Sequence, residues 1–198
     1  SVNNIMTALY AFVVISFFIT IVDIIIRFPL QSEMIDYNDI QAIVINVLAL
    51  LIQIVFFAYG FVNAIRGMLS PKRMGAVIVA FFAATCITGT GNMVINSNVQ
   101  IVLWWIVLII PNIVGAVATF AYFVSGKKSK IYSIIIYLAA IWGMFRIIYS
   151  NYNLIVHANQ YLSMNSTVRL VLGIAIHCLV IYQTYVLWIK RQNAIDIS

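Results

Sequence analysis

Six apolar stretches succeed one another along this sequence, at 5–27, 40–65, 74–96, 101–125, 131–150 and 168–189, each bounded by charge, Pro or a cluster of Asn and Ser. A hydrocarbon layer of about 30 Å takes about 20 helical residues to cross, so each stretch has the length of a transmembrane helix. The strands of a closed barrel would read as segments of about ten residues alternating polar and apolar, whereas these runs are apolar on every face. The expected fold is therefore all-α: one polytopic membrane domain, 1–198, with six transmembrane helices.

Composition makes the solvent explicit. The 198 residues are 64% hydrophobic and only 8% charged, against about 25% charged in an average soluble domain. That leaves too little polar surface to coat a core of this size, so lipid is the expected coat. The net charge of +6 does not read as a nucleic-acid surface, because its Lys and Arg sit between apolar runs and not on one solvated face. The first run has no basic stretch before it and no small-residue cleavage site after it, and is expected to stay as the first helix.

Charge also orients the chain, because short cytoplasmic loops hold the excess of Lys and Arg. Arg66, Lys72, Arg73, Lys127, Lys128, Lys130, Lys190 and Arg191 fall on one side, and Arg27, Arg146 and Arg169 on the other, which also carries Glu33, Asp36 and Asp39. Both termini are thus expected in the cytoplasm, with the protein in the plasma (cytoplasmic) membrane. The basic connections are short. The outer ones, 28–39 and 151–167, are long enough for a cap, and the second includes Asn165-Ser166-Thr167, a glycosylation pattern relevant only in a eukaryotic secretory membrane. Phe57-Ala58-Tyr59, Phe120-Ala121-Tyr122 and Gln183-Thr184-Tyr185 each precede a basic residue, a pattern of three parallel helical-hairpin repeats or of convergent interface chemistry.

Polar residues within the spans carry the functional reading, because an ion at the bilayer centre costs about 2.5–3.5 kcal/mol even on the lenient insertion scale. Asp23, Asn92 and Arg146 each lie about one turn, roughly 6 Å, inside the outer end of an odd-numbered helix. They are the candidate solute-binding residues of an outward-facing pocket. Asp23 has two candidate partners: Arg27, one turn on, in the favourable acid-before-base order, or Arg146 if the first and fifth helices are neighbours. Deeper polar positions are Asn46, Gln53, Asn112 and His177, which suit interhelical hydrogen bonding. Pro111 removes an amide and is expected to kink the fourth helix. The run Thr88-Gly89-Thr90-Gly91-Asn92 allows close packing or a local break. Pro111, Asn112 and His177 are accordingly expected to shape the pocket.

No nucleophile–base pair, acid pair or phosphate motif is visible, and no enzyme is expected. Cys86 and Cys178 lack metal-ligand spacing, and His157 falls outside the spans where it would have to pair with His177 around a haem; no metal or cofactor is expected. The architecture resembles that of small six-helix membrane proteins, solute-capture subunits of import complexes among them, although fold does not imply function. The leading expectation is a transport-related, solute-binding subunit whose partners are the bilayer, a small-molecule solute and a membrane protein or second copy, with no nucleic acid. The alternative is a non-catalytic accessory, assembly or immunity subunit that docks within the membrane.

Overall fold

A computed structural model describes residues 2–31, 37–95, 103, 105–152 and 164–196. Those residues form helices and short turns, with no strand among them. The helices are α1 (Val2–Gln31), α2 (Tyr37–Ile65), α3 (Pro71–Ile95), α4, α5 (Lys130–Ser150) and α6 (Met164–Asp196). Helix α4 is composite: a π turn, Trp105–Ile109, runs into an α segment, Ile110–Thr119, and then a second π turn, Phe120–Val124. Each of the six contains a segment of 20 to 28 residues long and apolar enough to cross a bilayer. Helix α6 runs about two turns past the predicted end at 189.

Helices adjacent in sequence pack together, α6 closes the ring on α1, and α3 touches α6 across the interior. Helix α6 therefore lies between α1 and α5, so the condition for direct pairing of Asp23 with Arg146, neighbouring first and fifth helices, is not the arrangement found. Short turns join the helices at one end of the bundle. Gly67 (φ 65°) follows α2 in the left-handed conformation, with Met68 N–H donating to the Asn63 carbonyl at 2.8 Å. Gly126 (φ 69°) ends α4 likewise, with Lys127 N–H on the Ala121 carbonyl at 3.0 Å. Glycine bears this conformation without a Cβ penalty, and the bonds satisfy carbonyls that a helix end leaves orphaned. At this same end Asn3 lies beside Gly67, and Phe123 packs on Gly75. The Arg191 guanidinium donates to the Tyr122 and Lys127 carbonyls, at 2.7 and 3.1 Å, and lies 4.2 Å from the Tyr122 ring centre.

Helix ends here enclose an aromatic core. Tyr10, Phe57, Phe82, Tyr122 and Phe123 are fully buried, Phe57 meets Tyr10 and Phe17 at centroid distances of 6.3 and 5.5 Å, and Gln183 Nε2 donates to Tyr10 Oη at 2.6 Å. Outward, the helices expose Ile15, Phe18, Val55, Leu138 and many other large apolar side chains, a surface that suits lipid and not water. The three triplets of the repeat pattern differ in facing. Phe57 and Gln183 are buried with Tyr59 and Tyr185 exposed, while in α4 Phe120 is exposed and Tyr122 buried. The π turn that starts at Phe120 shifts the register there.

Pro111 sits in the first turn of the α segment of α4, directly after the π turn Trp105–Ile109. An α-helical residue at 111 would donate its amide to the Val107 carbonyl, and proline has none to give. The Trp142 indole N–H of α5 takes that role, donating to Val107 O at 2.7 Å. The defect in one helix is thus the anchor point for its neighbour.

Candidate functional site in an interhelical cavity

Away from the aromatic core, at the end where α1 finishes and α6 begins, the helices line a partly open cavity of about 750 Å3. Ligand sites commonly span about 300–1,000 Å3. Its polar wall comes from five helices: Thr20 and Asp23 of α1, Asn46 and Gln53 of α2, Thr85 and Thr88 of α3, Arg146 of α5, and Arg169 and His177 of α6. Phe17 and Phe81 also line it and connect it to the core: Phe17 packs on Phe57, and Phe81 on Phe82 at 5.4 Å. Helix periodicity explains the convergence. Phe81, Thr85 and Thr88, or Arg169, Gly173 and His177, recur at three- and four-residue spacing and so share one face of their helix.

Of the residues expected to bind solute, Asp23 and Arg146 line this cavity together. The Asn92 side chain lies outside the described residues, as do those of Arg27 and His157. Of the three expected to shape the wall, only His177 lines it. Pro111 and Asn112 belong to α4, none of whose described residues lines this cavity, and the buried Asn112 side chain donates to Leu108 O at 2.6 Å within its own helix.

His177 is held tightly. Its Nδ1 lies 2.6 Å from the Gly173 carbonyl; a carbonyl only accepts, so in the neutral ring Nδ1 carries the hydrogen and Nε2 is the acceptor. Nε2 is turned onto Gly143 of α5, where a Cβ would overlap it. The Phe81 ring meets the imidazole edge-on at 5.0 Å. His177 thus forms part of the α5–α6 contact while one side faces the cavity. Arg146 is less satisfied: it is half-buried, and its Nε has no hydrogen-bond partner among the described residues. A guanidinium at this depth calls for an acceptor, because an unpaired donor in apolar surroundings is costly.

A second cavity, of about 520 Å3, lies between α3, α4 and α5. Thr85, Thr88, Arg146 and Ile147 line both cavities, so Arg146 stands on their common wall. The remaining liners of the second are mostly apolar, with Leu103 and, from α4, Val107 and Leu108.

Among the described residues no group of three His, Cys, Asp or Glu side chains is placed to hold a metal. Cys86 is half-buried with Sγ 3.9 Å from the Ile109 carbonyl, and Cys178 is exposed.

From the sequence, Arg169 stood only among the outer-side cations and Thr88 only in the glycine-rich run of the third helix, while Thr20 and Thr85 were not singled out. The cues were present: Thr20 precedes Asp23 by three residues, and Arg169 precedes His177 by two turns on one face. Compared with family models, curated proteins and solved structures, the chain matches none of them. The class defined by the fold is a six-helix integral membrane protein.

Proposed function

We propose that this chain is a transport-related membrane protein that binds a small charged or zwitterionic solute in the 750 Å3 cavity. One observation carries the reading: Arg146, Arg169 and Asp23 line a common interhelical cavity. Charge in a membrane bundle is expensive, and it persists where it serves an ion or solute path. Arg146 and Arg169 take the anionic groups of the solute, Asp23 faces any cationic group, and Asn46 and Gln53 supply neutral hydrogen bonds. Binding here needs no covalent chemistry and no cofactor. The site faces outward in this reading, with the basic connections and both termini in the cytoplasm. The positive-inside bias supports that orientation, as do the contacts of Asn3 with Gly67, Phe123 with Gly75 and Arg191 with Lys127, which gather the basic connections at one end.

The test is purification with native lipid followed by mass spectrometry for a retained small molecule, and uptake or binding by the Arg146→Ala variant. A retained solute that is lost in the variant is the expected result; unchanged binding removes Arg146 from the site and the proposal with it.

A second reading, an accessory or immunity subunit docking on a partner in the membrane, draws on α5. There Trp142, Phe145 and Tyr149 are exposed and stack in sequence at 5.9 and 6.2 Å, a continuous aromatic edge facing outward. A stoichiometric co-purifying chain, released when Phe145 and Tyr149 are replaced by Leu, would favour it.

A further inference from the structure

The two cavities differ in chemistry but share a wall. The larger has charge and hydrogen-bonding groups on five helices. The smaller, beyond Arg146, is bounded by Leu103, by Val107 and Leu108 of α4, by Gly89 of α3 and by Tyr149 and Ser150 of α5. Helices α3 and α5 both pack on α4 and on α6, and the four side chains that line both cavities come from these two helices. Glycine at 89 keeps the α3 side of the second cavity low, since any side chain there would collide with Leu108. A polar chamber beside a greasy one, with a half-buried arginine on the wall between them, is the outline of an amphiphile.

Resting on the solute-binding reading above, we infer that the ligand is an anionic amphiphile. Its phosphate or carboxylate head lies in the larger cavity against Arg146 and Arg169, and its alkyl chain in the smaller one between α3, α4 and α5. The sign of the head follows from the lining: two guanidinium groups face one carboxylate, Asp23, so the described wall is net cationic. Arg146 is suited to the junction because its Nε has no hydrogen-bond partner among the described residues and because a planar guanidinium binds phosphate or carboxylate oxygens in pairs. The chain needs an apolar slot that opens toward lipid, and Leu103, 54% exposed, stands at the edge of that slot. A small hydrophilic solute would leave the second cavity without a role.

The experiment uses the full chain in mild detergent, titrated separately with phosphatidylglycerol, phosphatidylcholine and glycerol 3-phosphate, and read by native mass spectrometry. One phosphatidylglycerol per chain is expected to be retained about tenfold better than phosphatidylcholine, and Arg146→Gln is expected to abolish that preference. Leu103→Trp fills the apolar slot from its exposed edge. It is expected to lower phosphatidylglycerol retention about tenfold while glycerol 3-phosphate binds as in the wild type; Ser150→Trp, at another exposed position of the same slot, should act alike. If both tryptophan variants hold phosphatidylglycerol like the wild type while glycerol 3-phosphate binds through Arg146, the amphiphile is excluded and the small-solute site stands. If neither anion binds, or binding ignores Arg146→Gln, both readings fall. Equal retention of the two phospholipids also overturns the inference.

Discussion

Toward the end of the bundle with the short basic turns, four helices contribute fully buried rings: Tyr10 of α1, Phe57 of α2, Phe82 of α3, and Tyr122 and Phe123 of α4. Toward the opposite end α1, α2, α3, α5 and α6 line a cavity with Thr, Asn, Gln, Asp and Arg. Lipid is as apolar as a leucine side chain, so no hydrophobic force draws helices together in a membrane; shape and hydrogen bonding must do so. The first region meets that demand with large side chains fitted against small ones, as Tyr10 fits against Gly60, and with one buried polar contact, Gln183 to Tyr10. The second carries polar groups on five converging faces, which favours a chamber over a sealed apolar contact. One region holds the bundle together, and the other is available to a ligand.

This division is most exposed to test by Phe57→Ala. In a soluble core such a change costs about 3–5 kcal/mol, part of it transfer from water, and only the packing part applies in lipid. A loss of about 2–3 kcal/mol is expected, read as a lower midpoint of thermal unfolding in detergent. Asn46→Ala, in the cavity wall, should cost less than about 1 kcal/mol. Equal losses would mean that the two regions are packed alike.

Arg146→Gln inverts the pattern. Hydrogen bonds to a charged group contribute about 1.5–3 kcal/mol, so ligand retention should fall by about tenfold or more. Thermal stability should hold or rise, because a half-buried cation is replaced by a neutral group. Lost stability with intact binding would make Arg146 part of the scaffold and erase the functional half of the comparison.

How much of this was legible in the sequence depends on the range of the interaction that decides it. Span count and helical class follow from local hydropathy, and the described residues contain six apolar helices long enough to cross a bilayer. Asp23 and Arg146 stood out because charge is rare in such runs, and they do line one cavity. Their separation by α6 was not legible, since the order of helices around a ring depends on contacts between distant segments. Pro111 and Asn112 are not among the residues that line this cavity. A proline advertises a local defect, but whether it faces a cavity or a neighbouring helix is decided by the partner, here Trp142. Arg169 was visible only as a charge at a helix margin, until helical phase aligned it with Gly173 and His177.

Gly143 joins the two regions, because the α5–α6 contact that it permits sets His177 against the cavity. In Gly143→Ala the added methyl would overlap His177 Nε2, and overpacking of this kind costs about 1–3 kcal/mol. The expected loss is about 1–2 kcal/mol in the wild type and close to zero in a His177→Ala background, where the room has been made. The double-mutant cycle measures that coupling directly. If Gly143→Ala costs the same in both backgrounds, the glycine serves something other than the imidazole.

The smallest expected effect is at Trp142, where the comparison meets its finest detail. Interhelical hydrogen bonds in membrane proteins average about 0.6 kcal/mol, with a maximum near 1.7, so Trp142→Phe should lower stability by about 0.6 kcal/mol. A shift that small is better read locally, as faster amide hydrogen exchange in Ile110–Thr119, than as a change of melting point. The decisive variant is Pro111→Ala, which returns an amide able to reach the Val107 carbonyl from within α4. Once that carbonyl has its own helical donor, the indole is redundant, and Trp142→Phe should become nearly neutral in exchange rate. Additive losses in the double variant would mean that the tryptophan steadies α4 by its ring packing, and that the proline defect and the α5 anchor are unrelated.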